Sequence, residues 1–291
     1  LSVSGPCLTI RRFPKDRLTV EELINKQSLT SSAAAFLRAA VGNRRNILVS
    51  GGTGSGKTTM LNAMSSFISS KERIVTVEDT AELKMHQEHV VTLETRAANV
   101  EGTGAYTARD LVKNALRMRP DRLIVGECRG GEALDMLQAM NTGHDGSMTT
   151  VHANSAHEVI ERLELLVLMA VELPIKAIHR QIASALDLVV QLTRMEDGRR
   201  MVTQIAEVER MDEETGNLIV TDIFNARDGI MLRPTGHLPT FVDQLVDKNL
   251  LDLRFLYHED RKSHAGPNVI EAQPPLARNI SDSPPAAELL P

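Results

Sequence analysis

Aromatic side chains are scarce in this 291-residue chain, which has six phenylalanines, two tyrosines and no tryptophan. Proteins that hold single-stranded nucleic acids stack the bases on aromatic rings and follow the phosphates with a basic groove. The formal net charge of −5 supplies no basic excess for such a groove. The composition therefore disfavours nucleic acid as a partner.

Cysteine and long apolar runs are also nearly absent. Cys7 and Cys128 lie far apart and fit no metal or redox spacing, which excludes a disulfide framework and is typical of a reducing compartment. The most apolar stretch, residues 163–175, is interrupted by two glutamates and a proline, and no signal-peptide pattern opens the chain. We expect a chain that does not span a membrane.

Composition divides the chain into three segments. Residues 7–13 (CLTIRRF) predict a strand, and the Pro-Lys-Asp that follows predicts a turn or linker. Because the chain opens in what reads as the middle of a strand, we expect residues 1–27 to be the end of a truncated N-terminal domain and its linker. Residues 28–256 then form one domain. Residues 257–291 hold six of the twelve prolines and are expected to be a disordered tail.

Between residues 46 and 151, short apolar runs alternate with helical patterns. This alternation predicts an α/β fold with a mostly parallel sheet covered by helices on both faces. A C-terminal helical layer and a β-meander are expected to follow, and a capping box at residues 19–22 and an alanine-rich stretch predict two helices upstream. The predicted strands of the sheet are 47–49, 74–77, 90–93, 123–125 and 148–151; the predicted helices are 32–41, 156–170 and 174–186; and the meander strands are 187–193, 200–210 and 217–224.

The most informative motif, G-x4-G-K-T, joins the first of these strands to a helix-compatible stretch. Its glycines let backbone N–H groups turn inward at the start of a helix, where a triphosphate fits. Lys57 is placed to reach the β- and γ-phosphates and the Thr58 hydroxyl to ligate Mg²⁺. A glycine-rich turn that binds nothing is the alternative, which the complete pattern disfavours. The predicted nucleotide-binding residues are Gly51, Gly52, Thr53, Gly54, Ser55, Gly56, Lys57, Thr58 and Thr59.

Two acidic positions follow other predicted strands. Glu78 and Asp79 end the strand about one βαβ unit after Lys57, and Glu127 follows the apolar run 123–125 and a glycine. An acid at such a strand tip holds Mg²⁺ or polarises the attacking water in P-loop enzymes. A helix cap or a surface acid would explain each position equally well in isolation. Beside a P-loop, the functional interpretation is favoured.

Residues 142–154 form a second distinctive segment, TGHDGSMTTVHAN. His144 and His152 flank a short predicted strand whose polar residues alternate with apolar ones. A single histidine in such a place is more often a hydrogen-bonded structural residue than a functional one. A functional role for these histidines is favoured only in combination with the motifs that precede them.

The P-loop, the Glu78-Asp79 pair, the strand ending in Gly126-Glu127 and the paired-histidine segment resemble, in this order, the Walker A motif, Asp box, Walker B motif and His box of secretion and pilus-motor ATPases. Within this type II/type IV secretion traffic ATPase superfamily, residues 117–122, 126–133 and 140–147 are most similar to the CpaF/TadA branch, which serves Flp (tight adherence) pilus assembly. The resemblance covers about residues 1–225. Cys128 stands where the family has a small aliphatic residue, which should not affect chemistry.

The resemblance implies a RecA-like P-loop NTPase core that binds ATP and Mg²⁺ and works as a homohexameric ring. Such a motor would be cytoplasmic, peripheral to the inner membrane and attached to a pilus or secretion platform, with no nucleic acid as partner. By this resemblance, Glu78 and Glu127 divide water activation and metal support in an order left open, and Thr58 is a further metal ligand. His144 and His152 are expected to sense or transmit the state of the γ-phosphate, and Arg11 is placed to reach phosphates from the N-terminal domain. Arg96, Arg117 and Arg129 are candidates for contacts to the transferred phosphate within or between subunits.

Several alternatives stay open at this point. A type IV secretion traffic ATPase or a pilus retraction motor would share all four boxes. A nucleic-acid translocase on the same core is disfavoured by the acidic charge and the few aromatics. A nucleotide-gated scaffold that hardly turns over is disfavoured by the complete set of motif residues. For each arginine, a surface ion pair is the simpler interpretation.

Overall fold

A computed structural model of the chain describes residues 3, 5–8, 10, 17–212, 214–226, 229 and 231–257. The strand predicted at residues 7–13 is not found at its described positions, Cys7, Leu8 and Ile10, which lie in no strand. Arg11 lies outside the described residues, as does the predicted tail apart from Tyr257. Leu8 and Ile10 are exposed, so no neighbouring strand in the described chain buries their side chains.

The described chain alternates helices and strands up to residue 194 and then forms a meander. The helices are α1 (Val20–Asn25), α2 (Ser31–Gly42), α3 (Lys57–Ser65), α4 (Ala108–Ala115), α5 (Glu132–Asn141), α6 (Ala156–Leu168), α7 (Ile175–Ala185), α8 (Val242–Asp247) and α9 (Arg254–Tyr257). The strands are β1 (Ile47–Gly51), β2 (Arg73–Glu78), β3 (His89–Glu94), β4 (Arg122–Val125), β5 (Met148–Val151), β6 (Leu188–Arg194), β7 (Arg200–Met211), β8 (Leu218–Asn225) and β9 (Arg233–Pro234).

These nine strands form one sheet in the order β3-β2-β4-β5-β1-β6-β7-β8-β9. The pairs from β3 to β6 are parallel, and the pairs from β6 to β9 are antiparallel. The predicted mostly parallel sheet and the predicted meander are therefore confirmed. Because the first six strands are parallel, their carboxyl ends meet at one edge of the sheet.

Alternating side chains of each strand enter two cores, one on each face of the sheet. On β1, Ile47 and Val49 pack into a first core with residues of α2 and α3, while Leu48 packs into a second core with residues of α4 to α7. The expected C-terminal helical layer, α6 and α7, continues this second face beside α5. Both faces are covered by helices, as predicted.

Two helical features at the ends of the described chain join the first core. The predicted capping box is confirmed at α1: the Glu22 N–H donates to Thr19 Oγ1 over 3.1 Å, and the Thr19 N–H donates to Glu22 Oε2 over 2.7 Å. The helices α8 and α9, which the sequence did not predict, bury Leu245 and Leu256. Phe241 stacks on Phe36 with 6.4 Å between ring centroids. These contacts fix the segment after β9 to the outside of α2.

Buried His179 on α7 links the second core to the turn between β7 and β8. Its Nδ1 lies 2.7 Å from the Gly216 carbonyl oxygen, and its Nε2 lies 2.6 Å from Glu164 Oε1. Both partners are acceptors, so only the doubly protonated ring donates to both. Burial acts to lower the pKa of His179, but the bonds to Gly216 and Glu164 and the charge of Glu164 outweigh it and raise the pKa.

The raised pKa makes the stability contribution of His179 depend on pH. The contribution is fully present below the unfolded pKa of about 6.5 and is lost as pH rises through the higher folded pKa. We therefore expect the difference in unfolding midpoint between the wild type and His179→Gln to be larger near about pH 6 than near about pH 9. Chemical denaturation at both pH values checks this, with the exposed His157→Gln on α6 as control. An equal difference at both pH values would contradict it.

Candidate nucleotide site

The glycine-rich loop lies between the carboxyl end of β1 and the first residue of α3. Gly51 has to be glycine, because a Cβ there would lie 2.5 Å from the Leu192 carbonyl oxygen. Gly54 and Gly56 have φ angles of 70° and 102°, which side chains other than glycine rarely adopt. Gly56 is the N-cap of α3, and no side chain of the described residues caps the helix. The first N–H groups of α3 are therefore free to bind an anion.

The Lys57 ammonium lies inside this loop. Its Nζ donates to the carbonyl oxygens of Gly51 over 2.9 Å and Gly52 over 3.3 Å. Burial lowers the pKa of Lys57; the negative charge of Glu127 opposes this, and the positive charge of Arg129 adds to it. Such a cation in a glycine-rich loop suits the terminal phosphates of a nucleotide.

Ser55 adds an unsatisfied polar atom to the loop. Its Oγ is buried and has no hydrogen-bond partner among the described residues. A buried hydroxyl without a partner is costly unless a ligand completes it. This oxygen and the neighbouring Thr58 are the kind of hard oxygen donors that Mg²⁺ and phosphate groups use. The residues present therefore fit a magnesium nucleotide.

Strand register brings three of the other predicted residues to the same edge of the sheet. Val77 pairs with Val125, and Val151 pairs with Ser50, the residue before Gly51. Glu78 ends β2, Glu127 follows β4 by two residues, and His152 follows β5. All three lie at the carboxyl edge, where the P-loop begins.

Glu78 is buried, with 5% of its surface exposed. Its Oε2 accepts the N–H groups of Glu82 and Leu83, each over 2.9 Å, whereas its Oε1 has no partner among the described residues. Burial raises the pKa of Glu78 although these two bonds act to lower it. A Cβ at Gly126 would lie 3.0 Å from the Glu78 Cγ, so glycine leaves room for this carboxylate.

Glu127 lies in a more open and more charged setting. Its Oε2 lies 2.7 Å from Arg129 Nη2, and Arg129 Nη1 lies 3.3 Å from Asp79 Oδ2. The bond to Glu127 is the main reason that the pKa of Arg129 is raised. Arg129 is two-thirds exposed, so it contacts both acids at the surface of the edge. The structure thus groups Glu127, Arg129 and Asp79 beside the P-loop.

His144 and Arg117 are not brought to this edge. His144 precedes β5, and the Gly146 N–H beyond it donates to Asn46 Oδ1, which precedes β1. The four residues of β5 separate the two histidines by about 13 Å of strand, at opposite edges of the sheet. Arg117 is exposed, precedes β4 and donates to the Lys113 carbonyl. The structure therefore places His152 at the P-loop edge of this chain and His144 at the opposite edge.

Arg96 lies at the carboxyl edge of the sheet but far from the P-loop. It follows β3, the outer strand, which lies four strand spacings, or about 19 Å, from β1. Its Nε donates to the Gly104 carbonyl over 2.8 Å, and its guanidinium carbon lies 4.9 Å from the centroid of the Tyr106 ring. These contacts hold Arg96 against its own loop.

Sequence reasoning missed Arg200, at the start of β7. Its Nε donates to the Gly54 carbonyl over 2.7 Å, so the meander contacts the P-loop. A cleft of about 320 Å³ lies between α1, α3 and the β6–β7 hairpin, and it reaches Ser55 and Thr59. Its apolar lining consists of Leu18, Leu23, Met60, Leu192 and Val202. No sequence motif marks this contact, because it depends on β6 pairing directly with β1.

Together, the strand order, the P-loop at the end of β1 and the acids at neighbouring strand tips define a RecA-like P-loop fold. The chain belongs to the family T2SSE, described as "Type II/IV secretion system protein", whose sequence profile matches residues 1–231. The predicted superfamily is thereby confirmed, whereas its CpaF/TadA branch stays a prediction.

Individual relatives agree with this family. The chain is 39% identical over 210 residues to the conjugal transfer protein TrbB of Rhizobium radiobacter, covering 71% of this chain and 62% of that protein. It is 43% identical over 178 residues to the type IV secretion system protein PtlH of Bordetella pertussis, covering 58% and 52%. The crystal structure of the VirB11 ATPase of the Brucella suis type IV secretion system aligns with a TM-score of 0.55 at 33% identity, covering 68% and 60%.

The chain spans less than two thirds of the length of these relatives. Among the helices of the described residues, none has both the length and the apolar character needed to cross a bilayer.

Proposed function

We propose that the chain binds ATP with Mg²⁺ at this site and hydrolyses it. The observation that carries the proposal is the position of Lys57, whose Nζ lies within the P-loop and donates to the carbonyl oxygens of Gly51 and Gly52. A cation for the phosphates and an acid beside it at the same sheet edge are what phosphoryl transfer to water requires. The ATPase named among the structural relatives supports the same activity.

The side chains divide the work by their surroundings. Thr58, at the start of α3, and Glu127 would hold Mg²⁺, which supplies charge neutralisation of the terminal phosphates when bound. Glu127 is partly exposed and paired with Arg129, so it is open to water, unlike buried Glu78. Glu78 is buried and fixed by two backbone N–H groups, which suits a residue that positions the edge. His152 would contact the phosphates from β5.

The apolar cleft beside Ser55 and Thr59 would take the adenine base. It adjoins the P-loop, and its aliphatic lining offers the surface that a base needs to leave water. Arg200 would hold the P-loop in place from the other side of the cleft through its bond to Gly54. Arg11, outside the described residues, is proposed to reach the phosphates from the N-terminal segment.

The work done with this hydrolysis is proposed to be that of a motor for secretion or pilus assembly. The relatives named for conjugal transfer and type IV secretion support the secretion class. The motifs at residues 117–122 and 140–147 favour Flp (tight adherence) pilus assembly within it. A homohexamer peripheral to the inner membrane would place His144, Arg96 and Arg117 at contacts between subunits, since they lie away from the P-loop of their own chain.

A phosphate-release assay tests the activity. We expect release from ATP that requires Mg²⁺ and does not increase when single-stranded DNA is added. Strong stimulation by single-stranded DNA would contradict the proposed secretion motor and favour a nucleic-acid translocase. Saturable ATP binding without phosphate release would favour a nucleotide-gated scaffold instead.

A further inference from the structure

Far from the P-loop, three potential metal ligands converge on the meander. Glu207 and Glu209 lie two residues apart on β7, and His237 follows β9. Residues two apart on a strand point to the same face, so the sheet itself brings the two carboxylates together. His237 lies beyond residue 231, where the match to the family profile ends. The family match therefore includes the two carboxylates but not the imidazole that completes the cluster.

The distances within the cluster fit a metal centre. His237 Nε2 lies 3.1 Å from Glu207 Oε2 and 3.8 Å from Glu209 Oε1, and all three ligand atoms lie within 4.8 Å of one another. Ligand bonds of about 2.1 Å at tetrahedral angles place neighbouring ligand atoms about 3.4 Å apart. The two measured distances from the imidazole nitrogen bracket this value. One oxygen of each carboxylate and one ring nitrogen can thus meet a single cation.

The negative charges of Glu207 and Glu209 favour a bound cation between them. The Glu207 side chain is 2% exposed, and the Glu209 side chain is 18% exposed. In the described part of the chain, neither carboxylate forms an ion pair with a lysine or arginine. A protonated His237 would cancel one of the two negative charges, whereas a divalent cation with a neutral imidazole cancels both. Neutralisation matters here because an uncompensated charge is costly to bury.

Neighbouring hydroxyl and backbone groups already orient the carboxylates. The Thr240 N–H donates to Glu207 Oε1 over 2.9 Å, and the Thr240 hydroxyl donates to the same oxygen. The Thr221 hydroxyl on β8 donates to Glu209 Oε1. Hydrogen bonds of this kind hold ligand carboxylates in place around metals in proteins. The His237 side chain is 28% exposed, so the cluster borders solvent at this residue.

We propose that Glu207, Glu209 and His237 bind a divalent first-row transition metal ion of the Zn²⁺ class, with water completing the coordination. One imidazole and two carboxylates suit Zn²⁺ better than Mg²⁺, which prefers oxygen ligands and octahedral geometry. The ion joins the segment after β9, which carries His237 and Thr240, to the central meander strand β7. Its role is structural, and it is separate from the Mg²⁺ proposed at Thr58.

Isothermal titration of the full chain with ZnCl₂ tests the site, after dialysis against a chelator and in excess Mg²⁺ without nucleotide. We expect saturable binding of one equivalent of Zn²⁺ and a rise in the melting temperature on its addition. His237→Ala and Glu209→Gln should each weaken binding more than about tenfold. Glu207 is left unchanged because its burial and its bonds to Thr240 make a folding defect the expected result of replacing it.

The exposed histidine His157 on α6 provides the matched control, and His157→Ala should bind Zn²⁺ as the wild type does. The metal-free melting temperatures of His237→Ala and Glu209→Gln show whether each variant is folded. Absence of saturable binding to the wild type would overturn the proposal. Wild-type affinity in both folded ligand variants would overturn it equally, because the ion would then bind elsewhere.

Discussion

The Lys57→Ala variant is expected to release phosphate from ATP only at the background rate. Lys57 supplies the ammonium group inside the P-loop, held by the carbonyl oxygens of Gly51 and Gly52. Without it, the backbone N–H groups remain, but the charge that would meet the β- and γ-phosphates is gone. Because this charge stabilises the transition state more than the bound substrate, turnover falls further than affinity. Steady-state phosphate release with Mg²⁺ measures the loss.

Lys71→Ala serves as the control, because Lys71 is an exposed lysine after α3 and its removal changes the net charge equally. Its turnover should match the wild type. Circular dichroism of both variants excludes unfolding as the cause of a loss. Turnover of Lys57→Ala within a few-fold of the wild type would show that the phosphates bind elsewhere, and the proposed site would then be abandoned.

The sheet could be predicted closely because its strands are short apolar runs with clear ends. The run at 47–49 became β1 (Ile47–Gly51), and the run at 148–151 became β5 (Met148–Val151). Buried parallel strands have little choice of residue, since both faces are covered. Glycines mark where two of the runs stop, Gly51 after the run at 47–49 and Gly126 after the run at 123–125. The P-loop could be predicted for a different reason. Its glycines permit the backbone angles that the loop geometry requires, so they appear in the sequence as a fixed pattern.

The contacts between distant segments could not be predicted in this way. Arg200 touches Gly54 only because β6 pairs with β1 and β7 pairs with β6. Strand order across a sheet depends on the packing of the whole chain and leaves no local pattern. The helices α8 and α9 were missed because they are six and four residues long, too short for a helical period to appear.

The position of His144 in the sheet depends on where β5 begins and ends, which the histidine motif alone does not show. A residue before a strand and a residue after it lie at opposite edges of the sheet, and β5 has only four residues between them. His152 lies eight positions after His144, so the segment looks like a single box in the sequence. The strand between the two histidines nevertheless assigns His152 alone to the P-loop edge.

The Glu127→Gln variant is expected to lose turnover by more than about a hundredfold while retaining most of its ATP affinity. Glutamine keeps the size of the side chain but removes the negative charge that acts on Lys57 and pairs with Arg129. The lost charge would orient water or metal in the transition state, so kcat falls and the dissociation constant of ATP changes little. Phosphate release gives kcat, and a fluorescent ATP analogue gives the affinity.

Two further variants make the comparison decisive. Asp79→Asn removes the other acid that contacts Arg129, so it controls for disturbance of the surface ion pairs and should retain most of the turnover. Glu78→Gln keeps an oxygen for the Glu82 and Leu83 N–H groups, so it should fold and lose less turnover than Glu127→Gln. A greater loss of turnover in Glu78→Gln than in Glu127→Gln would assign the catalytic role to Glu78 and the positioning role to Glu127. Near-normal turnover in both glutamate variants would refute the assignment of either acid to catalysis.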